Sequence, residues 1–244
     1  MIAGDTIVAR RRVLPWRADR VFYTSISIAV VGAVFAGFAR TYYLRASFEP
    51  IPLPLYLQIH GFAFTTWVGL FLAQTTLVAA GRTDIHRRLG WAGAALAVLM
   101  VVAALSAAIF SGHREVLAGH ADQARTFLAV PIFSMLVFPV LVASAVYYRR
   151  YPETHKRLML LATLSIIDAA VARWPIAWIA TTWWAYYALA DVFVAFAIGY
   201  DIVARRRVHP AYIWGGLLIV GAQGVRELVG PTAAWHTFAR ALIG

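Results

Sequence analysis

Long apolar runs constrain this chain more than any other feature of its sequence. Several runs reach roughly 20 residues or more, and about 20 residues at about 1.5 Å each are enough to cross a hydrocarbon layer as a helix. The sequence is 61% hydrophobic, well above the apolar share of ordinary soluble domains. We therefore predict an all-α, polytopic membrane helix bundle that contacts the lipid bilayer.

About seven transmembrane helices are predicted. They run from Val21 to Ala39, about Leu55 to Ala80, Leu89 to Phe110, Phe127 to Tyr148, Leu158 to about Trp178, about Trp183 to Val203, and Ala211 to Val229. Residues 1–20 are predicted to form a basic cytoplasmic lead, residues 21–230 the membrane domain and residues 231–244 a short amphipathic tail. A polar loop from Ser111 to Arg125 is predicted to join spans three and four.

The net charge of +11 would suggest nucleic acid as a partner of a soluble protein. Here the arginines cluster at the ends of apolar runs, which is the positive-inside pattern of membrane proteins, so nucleic acid is not expected as a partner. The cationic lead and the 2–3, 4–5 and 6–7 connections all lie on one side if the N-terminus is inside and the C-terminus outside. The absence of cysteine excludes disulfides and thiolate metal sites.

One motif occurs twice, each time in a short basic connection between two apolar runs. The copies are Thr-Asp-Ile-His-Arg-Arg-Leu at 83–89 and Glu-Thr-His-Lys-Arg-Leu at 153–158. They place His86 and His155 at the same point of two helix hairpins, and hence at about the same membrane depth. The two imidazoles are therefore predicted to face each other.

Ligation of a metal, most plausibly haem iron, is the functional interpretation of His86 and His155. Neutral imidazole is the ligating form, and a helix N-terminus disfavours the charged form. Arg87, Arg88 and Arg157 would suit the anionic haem propionates. The alternative is that each histidine is an ordinary interfacial residue at a basic helix start.

His60 is the third candidate ligand, because it lies in an apolar run and precedes Gly61, which would let a planar cofactor approach. Its partner at similar depth would be His120 or His113. The alternative is a buried histidine that is hydrogen-bonded to Glu227 or to a backbone carbonyl.

Five further polar residues are predicted inside the membrane, where charged groups are costly unless they are paired or used. They are Asp168, Arg173, Asp191, Arg226 and Glu227. We expect them to form ion pairs between helices, and the alternative is a path for protons or substrate. No residue is assigned a catalytic role.

Two resemblances follow from these motifs. His60-Gly61, the His-Arg-Arg-Leu-Gly stretch at 86–90 and the His-Lys-Arg-Leu-Met stretch at 155–159 resemble a large family of uncharacterised bacterial multi-pass membrane proteins. That resemblance implies the bacterial inner membrane. The order His60, His86, His120, His155 resembles the transmembrane di-haem b-type cytochromes.

The expected function is a haem-binding electron-transfer or redox subunit with haem b as cofactor. One alternative is a non-catalytic accessory subunit or assembly factor that binds other subunits of a membrane complex. Another is a proton-coupled transporter of a small molecule.

Overall fold

The computed structural model describes residues 16–49, 51–182 and 184–244. Most of the predicted basic lead, residues 1–15, lies outside the described residues, as does Trp183 at the predicted start of span six. The chain is 85% helical, and no strand occurs in the described ranges. The α-helices are α1 (Trp16–Phe38), α2 (Leu55–Ala79), α3 (Thr83–Leu117), α4 (Ala121–Phe127), α5 (Ala129–Tyr147), α6 (Pro152–Leu164), α7 (Asp168–Val171), α8 (Ala177–Thr181), α9 (Ala185–Arg205), α10 (Pro210–Val229) and α11 (Ala233–Ile243).

Five helical segments in the described part of the chain are long and apolar enough to cross a membrane. They are Arg17–Tyr43, Leu55–Ala79, Thr83–Leu117, Ala121–Arg150 and Ala185–Arg205. This confirms an all-helical chain compatible with a multi-pass membrane protein. The count of seven spans and the orientation of the termini stay predictions.

The prediction that the fifth span is one continuous helix from Leu158 to Trp178 is wrong. Helix α6 ends at Leu164, and a short turn separates it from α7, which ends at Val171. Ser165 donates its hydroxyl to the carbonyl of Ala162, which competes with the helical bonding pattern, and Pro175 disfavours a helical conformation for the residue before it.

This interrupted segment is the most buried part of the bundle. Nearly every residue from 157 to 171 is buried, and α1, α5, α9 and α10 surround it. Irregular backbone at membrane depth is tolerated where protein covers it. The seventh predicted span corresponds to α10, a helix of 20 residues that carries Arg226 and Glu227 near its end.

The predicted polar loop at Ser111–Arg125 is also corrected. Helix α3 continues to Leu117, the chain turns at Gly119 with a φ of +91°, and α4 begins at Ala121. Helix α3 also starts earlier than predicted, at Thr83, so the first histidine motif lies within its first two turns. The predicted tail is the helix α11, whose Ala239 and Ile243 are buried against α3 and α4.

The bundle has two ends that differ in charge. The basic end holds the α2–α3, α5–α6 and α9–α10 connections with the clustered arginines, and the far end holds the α3–α4 connection and α11.

Helix α1 approaches α7 so closely that a side chain on Gly37 would collide with backbone atoms of Ala170. Gly37→Ala is therefore expected to lower the free energy of unfolding by about 1–3 kcal/mol, the usual cost of overpacking. Gly32→Ala on the same helix is the matched control, because nothing lies within 4 Å of that position. Thermal unfolding in detergent measures both variants. A Gly37→Ala protein as stable as the Gly32→Ala protein would show that α1 and α7 do not touch there.

Candidate functional site: the histidine pair

His86 and His155 lie beside each other at the basic end of the bundle. His86 is in the first turn of α3 and His155 is in the first turn of α6. The centres of their imidazole rings are 6.2 Å apart, and the ring planes are inclined by 85°. The prediction that the two imidazoles face each other is confirmed.

A backbone carbonyl fixes the tautomer of His155. Its Nδ1 lies 2.8 Å from the carbonyl oxygen of Ala145 in the last turn of α5. A carbonyl oxygen only accepts, so Nδ1 carries the hydrogen, and in the neutral ring the lone pair is on Nε2. Histidines that ligate metals are oriented in this way by a bond from the second nitrogen to a carbonyl or carboxylate.

Gln74 connects α2 to the turn that holds His86. Its Nε2 donates to the carbonyl oxygen of His86 over 3.3 Å. Among the described residues, the buried atoms Gln74 Oε1 and His86 Nδ1 have no hydrogen-bond partner. Buried polar atoms are nearly always bonded to protein, water or ligand, so these two atoms are free to pair with a water molecule or with a bound group.

His86 and His155 together offer two imidazole ligands, so a metal ion bound here would need its other ligands from a cofactor. A metal–imidazole bond is about 2 Å long and each ring centre lies about 1 Å beyond its nitrogen, so two imidazoles on opposite sides of one ion have centres about 6 Å apart. The observed 6.2 Å is close to that value, and it also lies within the range of direct edge-to-face ring contacts. No group of three or more His, Asp or Glu side chains suited to a metal occurs in the described ranges.

The predicted propionate ligands divide into two kinds. Arg87 and Arg88 are exposed on the first turns of α3, and neither forms an ion pair with a described residue. Arg157 is a correction, because its guanidinium is fully buried and donates to both carboxylate oxygens of Asp201, at 2.9 and 2.5 Å, and to Glu153. Four of the five N–H donors of Arg157 are thus bonded to Asp201 and Glu153, and full burial keeps its guanidinium away from a propionate.

Arg157 belongs instead to an ion network that joins α1, α6 and α9. Asp19 accepts hydrogen bonds from Lys156 at 2.7 Å, from the hydroxyl of Tyr200 at 2.6 Å and from Arg205 at 2.6 Å. Sequence reasoning missed Asp19. The only available signal was an acid within the strongly basic stretch that precedes span one.

His209 begins α10 as its cap. Its Nδ1 accepts a hydrogen bond from the backbone N–H of Ala211 over 3.1 Å. Partial burial and the nearby Arg157 guanidinium lower the pKa of His209. The neutral ring that can accept this bond is thereby favoured.

His60 is not part of the pair and lies toward the far end on α2. Its ring stacks near Phe64, with centres 4.3 Å apart, and its buried Nδ1 has no hydrogen-bond partner among the described residues. His120 is exposed and pairs with Glu115 at 3.1 Å, and His113 contacts the carbonyl of Ile243 at 3.0 Å. No hydrogen bond or ring contact in the described ranges joins His60 to either, so the interpretation of His60 as a metal ligand gains no support.

The predicted pairing of intramembrane charges holds for Asp168 and Arg226, which lie 2.5 Å apart across α7 and α10. It does not hold for Arg173, which forms no ion pair with a described carboxylate. Arg173 donates to the carbonyl of Ala169 at 2.5 Å and lies over the ring of Phe38 at 4.9 Å. The cause is geometric, since the nearest acid, Asp168, is already bonded to Arg226.

Comparison of the chain with protein-family models, with curated proteins and with solved structures finds no match.

Proposed function

We propose that the chain is a membrane electron-transfer or redox subunit that binds haem b, with His86 and His155 as the residues that would hold the haem iron. The observation that carries this proposal is the ring pair itself, 6.2 Å between centres. The bond from His155 to Ala145 and the unpaired nitrogen of His86 support it. When bound, a haem would supply one-electron redox chemistry.

The residues of this chain would have separate tasks at that site. The carbonyl of Ala145 orients His155, and Gln74 holds the turn of His86 against α2. Arg87 and Arg88 are the remaining candidates to bind the propionates, because both are free of ion pairs to described residues and lie beside His86. The surrounding apolar helices would exclude water from the iron and set its potential.

The proposed membrane arrangement is seven crossing segments in a bacterial inner membrane, with the basic end in the cytoplasm. The arginine-rich connections at that end support it. Reporter fusions after Gly81, Arg150 and Arg207 are expected to report the cytoplasm, and a fusion after Gly119 the opposite side. A fusion after Gly81 that reports the same side as Gly119 would contradict the arrangement, because α3 alone separates them.

Absorption spectra of the purified protein, oxidised and then reduced, test the proposed function. A coloured preparation with the sharp reduced bands of a low-spin b-type haem is expected. A colourless protein that co-purifies with a stable membrane complex would favour the accessory subunit or assembly factor. A colourless protein with pH-dependent flux that requires Asp191 would favour the proton-coupled transporter.

A further inference from the structure

A ladder of polar side chains joins α9 to α10 in the far half of the bundle. Tyr187 and Asp191 are four residues apart on α9, and Gln223 and Glu227 are four residues apart on α10, so each pair lies on one helix face. The hydroxyl of Tyr187 donates to Glu227, and Nε2 of Gln223 donates to Oδ1 of Asp191 over 3.1 Å. These four residues are called the polar seam below.

The charges around the polar seam do not balance. Arg226 is the cation that contacts it, and its guanidinium is committed to Asp168 at 2.5 Å, Ser134 at 3.0 Å and the hydroxyl oxygen of Tyr187 at 3.1 Å. No cation of the described residues forms an ion pair with Asp191 or Glu227. An ionised carboxylate without a counterion is costly inside a membrane bundle, and the hydrogen-bond partner of Asp191 is the neutral amide of Gln223.

The polar seam adjoins a space between helices. A pocket of ≈ 440 Å³ between α4, α5, α9 and α10 is lined by Thr126, Tyr186, Arg226 and Glu227, among others. Glu227 of the polar seam lines this pocket, together with α4 at the far end. The next acid on α9, Asp201, is fully buried and bonded to Arg157.

We propose that Asp191 is a proton-binding site. A hydronium ion gives its proton to Oδ2 of Asp191, the oxygen that Gln223 does not occupy, and a water molecule remains. Glu227 keeps the hydrogen bond from Tyr187. The proton converts Asp191 into a neutral acid and removes one uncompensated charge. This site is independent of haem binding, which is proposed for the basic end.

Two charged groups act on Asp191 electrostatically, namely Asp168 on α7 and Arg226 on α10. Other titratable groups of the same region are Tyr187 and Glu227 in the polar seam, and Tyr186 and Asp122 at the pocket.

Infrared spectroscopy of the full-length protein in lipid nanodiscs tests the site through the C=O stretch of a protonated carboxyl group. The wild type is expected to show this band at about pH 7, where an ordinary aspartate is ionised, and to lose it at higher pH. Asp191→Asn removes the band, whereas Asp84→Asn, at an exposed acid of the basic end, leaves it unchanged. Glu227→Gln keeps the band.

Asp191→Glu is the second variant, and it should retain a carboxyl band at a shifted position if Asp191→Asn does not fold. A wild-type protein without a protonated carboxyl band at about pH 7 would overturn the proposal. So would a band that survives Asp191→Asn.

Discussion

His155→Ala is expected to abolish the reducible haem spectrum almost completely, because it removes one of the two axial ligands and the hydrogen bond to Ala145. His86→Ala should have the same effect, since neither imidazole alone makes a low-spin, six-coordinate site. The measurement is the reduced-minus-oxidised absorption spectrum together with the haem content per chain. Added imidazole should restore part of the spectrum in either variant by occupying the space of the missing side chain.

His113→Ala is the matched control for this prediction. His113, like His155, bonds through Nδ1 to a backbone carbonyl, here that of Ile243. Its removal therefore costs the same kind of hydrogen bond at the far end of the bundle. If His113→Ala and His155→Ala lower haem content equally, the loss reflects general instability, and the axial role of His155 is refuted.

Asp201→Ala is expected to destabilise the bundle by about 3–5 kcal/mol, the usual cost of leaving a buried charge without its partner. Arg157 and Asp201 are both 0% exposed and share two hydrogen bonds. The double variant Arg157→Met with Asp201→Leu should recover most of the loss, because replacing a buried pair with apolar side chains is often nearly neutral. Unfolding in mixed detergent micelles measures all three proteins.

Arg82→Ala is the control for the ion-pair prediction. Arg82 pairs with Asp84 at 3.5 Å, but their side chains are 58% and 61% exposed, and such a pair contributes about 0–1 kcal/mol. If the double variant at positions 157 and 201 is no more stable than Asp201→Ala, the prediction is wrong. The ion pair would then contribute more free energy to stability than burying its two charges costs.

The sequence was sufficient to predict the helical class and the meeting of His86 with His155. Both predictions depend on local information, namely apolar runs of membrane length and a motif repeated at equivalent turns. The interrupted helix at 165–167 was not predictable in the same way. The run from Leu158 to Trp178 is apolar whether it is one helix or several, and the surrounding helices decide that the break is tolerated.

The acid with which each arginine pairs could not be predicted from the sequence either. Arg87, Arg88 and Arg157 look equivalent in the repeated motif, yet Arg157 is buried against Asp201, which is 44 residues away along the chain. Arg173 and Arg226 likewise look alike in apolar surroundings, and only Arg226 reaches Asp168. Which cation meets which acid depends on helix rotation, and the weak amphipathicity of these helices leaves that rotation undetermined.

The electron paramagnetic resonance spectrum of the oxidised wild-type protein tests the central claim most directly. Two imidazoles bound to one ferric haem would give a low-spin signal. The proposed site predicts that signal, and predicts that it disappears in His155→Ala and persists in His113→Ala. A high-spin ferric signal, or a protein that contains no haem when it is produced with ample haem supply, would contradict the assignment of His86 and His155 as axial ligands.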